Sequence, residues 1–277
     1  MADIKKLKRV NKINAFALNF VNLGFVLNKK RYQKIDAIRG VALLNMIAYH
    51  AMWDLVYLYD IECSWYQSTT GYIWQQGICW TFIFLSGFCL PLGSHAIKRG
   101  ILVSVGGAVI MAVTWIFMPQ SRVVFGVLTL IGSCMLFAGA FEKWLKRMPP
   151  LLGAAASSIL FAFTRNVNDG SLGFARLDMI KLPESLYANI LTAYLGFPER
   201  GFYSTDYFSI VPWLFLFMTG YFVCRYLRNR KIMECMKTSV LKPIEWLGRH
   251  SFEIYMLHQP VIYLILEVIF RYIVVKR

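Results

Sequence analysis

Seven apolar runs recur along the chain, and their length limits what it can fold into. They cover roughly 37–59, 72–92, 100–118, 123–141, 151–163, 207–224 and 252–270. Crossing about 30 Å of hydrocarbon takes about 20 helical residues, and six of the runs reach or approach that length. The remaining run, LLGAAASSILFAF at 151–163, is shorter and follows the helix-stopping pair Pro149-Pro150. Its small residues suit close helix packing in lipid. Lipid offers the backbone no hydrogen-bond partner, so spans of this kind fold as helices. The expectation is an all-α polytopic membrane bundle of about seven transmembrane helices. Composition agrees: of 277 residues 57% are hydrophobic and 16% charged, with a mean hydropathy of +0.50. An ordinary soluble domain is nearer half apolar and a quarter charged.

The charges orient the bundle. Cytoplasmic loops carry an excess of Lys and Arg. If every run spans and residues 1–34 lie inside, 22 of the 30 basic residues fall on the cytoplasmic side. The loop at 60–71 then lies outside with Asp60, Glu62 and no basic residue, and the alternation holds only if 151–163 spans. The tail with Arg271, Lys276 and Arg277 is the exception. The net charge of +15 is thus explained by topology, and no nucleic-acid motif accompanies it, so no nucleic-acid partner is expected. Residues 1–34 form a basic N-terminal segment ahead of the membrane domain at 35–277. Within it AFALNFVNLGFVL (15–27) is followed by Lys29-Lys30-Arg31 rather than by a small-residue cleavage site, which predicts an interfacial helix and not a signal peptide. A second interfacial or re-entrant piece is expected at 183–197. The six cysteines form no CxxC pair and no Cys/His cluster, so neither a disulfide framework nor a structural metal is expected.

Ionisable residues inside a span are costly and point to function. The first span holds Asp36, Arg39, His50 and Asp54. At about 100° per residue all four fall within an arc of about 60°. That face must look into the bundle or a water-filled cavity. Arg39 belongs at the cytoplasmic mouth, and His50 lies about 16 Å further along the axis. Asp54, one turn beyond, is in reach to orient the imidazole of His50, which is the usual apparatus of a general base. The bland alternative is a polar network that fixes helix packing. In the last span Ser251, Tyr255 and His258 share a face, and Pro260 predicts a kink. There the alternative is that His258 and Gln259 satisfy carbonyls freed by the proline. Gln76 and Asp206, at outer ends of spans, are candidate acceptor contacts; interface anchoring and helix capping are their alternatives.

These residues carry a resemblance. KIDAIRGVALLNMIAYHAMWDL (34–55) resembles the opening helix of bacterial relatives of the heparan-α-glucosaminide N-acetyltransferase catalytic domain, with Asp36, Arg39-Gly40, Met46, His50 and Asp54-Leu55 at the pattern positions. Three further blocks agree in order: WTFIFLSGFCL (80–90), STDYFSIVPWLFLFMTG (204–220) and LGRHSFEIYMLHQPV (247–261). The likeness covers about residues 31–272. The Arg39 and His50 spacing also resembles that of a wider superfamily of membrane acyltransferases, which includes O-acetyltransferases of bacterial surface polysaccharides. The chain departs from the pattern in places. The lysosomal enzyme carries its catalytic His on the loop before the second helix, whereas 60–71 has none here. Thr129 stands in a block where relatives often show His, and Ser209 replaces a proline.

The resemblance implies transfer of an acetyl or other acyl group from cytoplasmic acyl-CoA to a sugar or glycan beyond the membrane, without a metal. On this reading Arg39, Asp36 and Arg249 form the CoA mouth, His50 and Asp54 are catalytic, and His258, Ser251, Asp206 and Gln76 contact substrate. The expected location is a bacterial inner membrane, with the lipid bilayer as partner and a homo-oligomer as a further option. The rival is a small-molecule or lipid-linked sugar transporter, or a non-catalytic membrane protein of envelope assembly. The paired half-repeats with broken helices that many transporters show are not visible.

Overall fold

The structure, a computed structural model, describes residues 31–174 and 177–271. The expected interfacial helix at 15–27, with Lys276 and Arg277, lies outside the described residues. Helices occupy all seven apolar runs: α1 Gln33–Tyr57, α2 Thr69–Cys89, α3 Ala96–Phe117 and α4 Val127–Ala140, then, after the short α5 Glu142–Arg147, α6 Pro150–Phe163. After a polar connection come the short α7 Ile190–Leu195, then α8 Ile210–Asn229, the amphipathic α9 Lys242–Arg249 and α10 Ser251–Ile269. One departure from an all-helical chain lies in the connection after α6. Strands β1 Ser171–Phe174 and β2 Leu177–Lys181 pair there as an antiparallel hairpin. α7 falls inside the segment expected to be interfacial, and its Tyr194 hydroxyl bonds Ser133 of α4.

Four of the helices are long and apolar enough to cross a membrane: Thr69–Leu92, Ala96–Phe117, Ile210–Asn229 and Ser251–Ile269. α1 has 25 residues but carries charge. α4 and α6 have 14 residues each, a rise of about 21 Å.

Side-chain contacts sort the connections into two ends. At the basic end Arg249 reaches Asp36, Arg228 donates to the Pro91 carbonyl at 2.9 Å, and Arg225 donates to the Lys146 carbonyl at 2.9 Å. At the opposite end Tyr59 bonds Glu267, Thr205 bonds the Ser121 carbonyl, and Arg165 bonds Gln76. Each of the seven helices α1, α2, α3, α4, α6, α8 and α10 joins one set to the other.

Small residues bring the backbones together. A methyl group on Gly40 would sit 2.0 Å from the Ile244 carbonyl oxygen, and one on Gly248 would sit 1.8 Å from that of Asp36, so α1 and α9 touch backbone to backbone. Gly87 and Gly220 do the same for α2 and α8, at 1.9 Å from the Phe217 oxygen and 2.1 Å from the Phe84 oxygen. In lipid, close packing of this kind does much of the work that water-driven burial does elsewhere. Ile83, Leu130 and Phe217 are fully buried between these helices. Ile116, Phe117, Leu152 and Leu264 face outward, as suits an apolar solvent.

Candidate functional site

At the basic end α1 opens with a buried carboxylate. Asp36 is 6% exposed, and three guanidinium groups surround it. Arg31 lies at 3.2 Å, Arg249 at 3.8 Å and Arg39 at 3.9 Å. Arg249 also reaches the buried Glu245 at 3.4 Å. The Ser239 hydroxyl, then the Val240 N–H and Arg249, hold the Glu245 carboxyl below the usual carboxylate range. Arg99 of α3 is close enough to Arg39 to repel it and makes no ion pair among the described residues. The expected trio of Asp36, Arg39 and Arg249 is therefore brought together, with positive charge in excess of its carboxylates. Arg99 adds a further positive charge there and was not anticipated from the sequence.

In the half of α1 away from the basic end α10 packs against it, and the two imidazoles meet. The His50 and His258 rings have centroids 4.8 Å apart. Their pairing was not readable from either helix alone. His258 is buried, and its Nδ1 lies 2.6 Å from the Tyr255 carbonyl oxygen. Asp54 is fully buried but does not orient His50. Its Oδ1 accepts from the Gln259 amide at 2.6 Å, and its Oδ2 has no partner among the described residues. The facing α10 supplies a donor of its own, the Gln259 amide, and the carboxylate bonds it across the helix crossing in place of the imidazole. The alternative raised by Pro260 fails as well. The helix continues through Pro260, His258 bonds the Tyr255 carbonyl and Gln259 bonds Asp54. The freed carbonyl belongs to Met256, four residues before the proline. Ser251 is buried at the basic-end start of α10, about 10 Å along the axis from His258, so it is not part of this cluster.

Toward the opposite end the two remaining candidates already have partners. Gln76 Oε1 accepts from Arg165 at 2.7 Å and from the Trp80 indole at 3.1 Å. The Arg165 guanidinium lies 4.8 Å over the Trp213 ring. Asp206 caps a helix, but not its own: its Oδ2 accepts from the Val127 N–H at 3.2 Å, at the first turn of α4. Burial pushes its carboxyl up to about 6, against the opposing pull of that backbone bond. Arg165 was missed because nothing in a mixed-charge loop distinguishes one arginine that folds inward.

The family described as Heparan-alpha-glucosaminide N-acetyltransferase, catalytic, matches residues 31–260. No curated protein and no solved structure matches the chain. The match spans most of the chain, so the protein belongs to this family of membrane acetyltransferases.

Proposed function

We propose that the protein moves an acetyl group from acetyl-CoA, bound at the basic cytoplasmic end, to a sugar or glycan acceptor arriving from the other side of the membrane. One observation carries this reading: guanidinium groups gather around Asp36 at the start of α1, and further along the same helix the His50 imidazole meets that of His258. Seven crossings with the basic end inside place those groups in that order. The phosphates of CoA are anions that Arg39, Arg249 and Arg99 are suited to bind, since arginine pairs phosphate with a planar fork of donors. The thioester would then lie further along α1, near His50 and His258. An imidazole takes the proton of the acceptor hydroxyl or amine as that group attacks the thioester carbonyl. The carbon–sulfur bond breaks, and the CoA thiolate receives the proton. Asp54 and Gln259 hold α10 against α1 and so keep the imidazoles facing. Gln76 and Asp206 lie along the acceptor's approach. A bacterial inner membrane is the proposed location.

Acetyl-CoA binding to purified protein tests the donor end. Wild type is expected to bind saturably, Arg39→Ala weakly, and His50→Ala like wild type but with slowed transfer. A well-folded wild type that does not bind acetyl-CoA would remove the donor and favour a transporter.

A further inference from the structure

The geometry points to His258, acting through Nε2, as the base that takes the acceptor's proton, with His50 as the imidazole beside it. This assignment rests on the acetyl-transfer reading and goes further by saying which imidazole acts, and through which nitrogen.

The tautomer of His258 follows from its partner. A carbonyl oxygen can only accept, so the nitrogen 2.6 Å from the Tyr255 carbonyl must be the one carrying hydrogen. In the neutral ring the hydrogen is then on Nδ1, and Nε2 presents a bare lone pair. That nitrogen is buried and has no hydrogen-bond partner among the described residues. Native proteins leave few buried acceptors unpaired. His50 makes ring contacts with Tyr49 and His258, and no hydrogen bond fixes its tautomer among the described residues. The ring held in a defined orientation with its basic nitrogen free is therefore the one on α10.

Its neighbours point the same way. Asp54 Oδ2, His258 Nε2 and Gln259 Oε1 are all buried without a partner among the described residues, and all three residues belong to the crossing of α1 and α10. In the neutral imidazole each of these atoms is an acceptor. What they lack is a group that brings N–H or O–H bonds, which is what an acyl acceptor brings. In the step assigned here the acceptor's N–H or O–H bond breaks, its proton goes to His258 Nε2, and its lone pair forms the new bond to the acetyl carbon. The carbon–sulfur bond of the thioester breaks in turn, and Nε2 returns the proton to the thiolate, giving free CoA.

The test compares His258→Gln, His258→Ala, His50→Gln and His50→Ala in the full chain. Glutamine keeps polarity and much of the volume but cannot take the proton. Release of CoA from acetyl-CoA is followed with glucosamine as the acceptor probe, alongside calorimetric binding of acetyl-CoA. The expected result is a fall in kcat of about 10²–10⁴-fold in His258→Gln with acetyl-CoA affinity unchanged, a smaller fall in His50→Gln, and partial rescue of His258→Ala by free imidazole. Nitrogen-15 NMR of histidine-labelled wild type is expected to show His258 as the Nδ1–H tautomer. Turnover of His258→Gln near the wild-type rate, rescue confined to His50→Ala, or an Nε2–H tautomer would each overturn the assignment. An active wild type with an active His258→Gln removes only this assignment. A wild type that binds acetyl-CoA without any turnover removes the transfer reading and this step with it.

Discussion

Among the described residues one hydrogen bond supports the fully buried carboxyl of Asp54, and the donor is Gln259. Removing that donor with Gln259→Leu should cost about 1–3 kcal/mol, the range for stranding a buried polar group. The double variant Asp54→Leu, Gln259→Leu should recover much of the loss, because neither partner is then left unpaired. Thermal unfolding in detergent measures both. Asp206 makes a second prediction. Its carboxyl is raised from 3.8 to about 6 in the folded protein, so the folded state binds a proton between those values that the unfolded state does not. Stability should therefore rise as pH falls from 7 through 6 toward 4, by an amount on the order of 3 kcal/mol at most. Asp206→Asn should flatten that window, as read by melting temperature against pH. A slope that survives the substitution would assign it to other groups.

At the level of elements, the contact between α1 and α9 positions the donor end. Gly248 sits against the Asp36 backbone, and this seat carries Arg249 to within 3.8 Å of the Asp36 carboxylate. Gly248→Ala forces a methyl into 1.8 Å of a carbonyl oxygen, which no side-chain adjustment relieves. The two helices must separate, at a cost of about 1–3 kcal/mol, and acetyl-CoA binding should weaken with it. Gly77 is the control. Nothing lies within 4 Å of a methyl placed there, so Gly77→Ala should leave binding intact and be neutral or stabilising. Equal loss from both would show that close backbone approach does not set the effect. That α1 and α9 touch was not legible beforehand. Gly40 and Gly248 are separated by most of the chain, and a lone glycine in a helix does not announce its partner.

For the whole molecule, the alternation of the two ends makes a topological prediction. Cys63 lies in the connection between α1 and α2, and Cys235 is exposed in the connection between α8 and α9. With the basic end inside, an impermeant maleimide applied to intact spheroplasts should label Cys63 and spare Cys235 until the membrane is opened, with Cys63→Ser and Cys235→Ser as controls. Labelling of both from outside, or of Cys235 alone, would overturn the seven-crossing orientation. The count matters for chemistry, because losing either short helix, α4 or α6, reverses the side on which every later connection lies.

The amino-acid sequence alone determined the membrane class, the helical runs, the polar face of α1 and the crowding of basic charge toward one side. Each of these follows from a local quantity: the length of an apolar run against the thickness of a bilayer, and the angle a residue takes in a helix of known pitch. It also carried the residues that identify the family. Only the tertiary structure decided which polar group answers which. Gln259 meets Asp54 across 205 residues and Arg165 meets Gln76 across 89, distances over which helical periodicity says which side a residue faces but not what it faces. The imidazole pair is the same case. His50 was readable as a histidine on a charged face, but the ring opposite it came with the crossing of α1 and α10, which backbone packing sets.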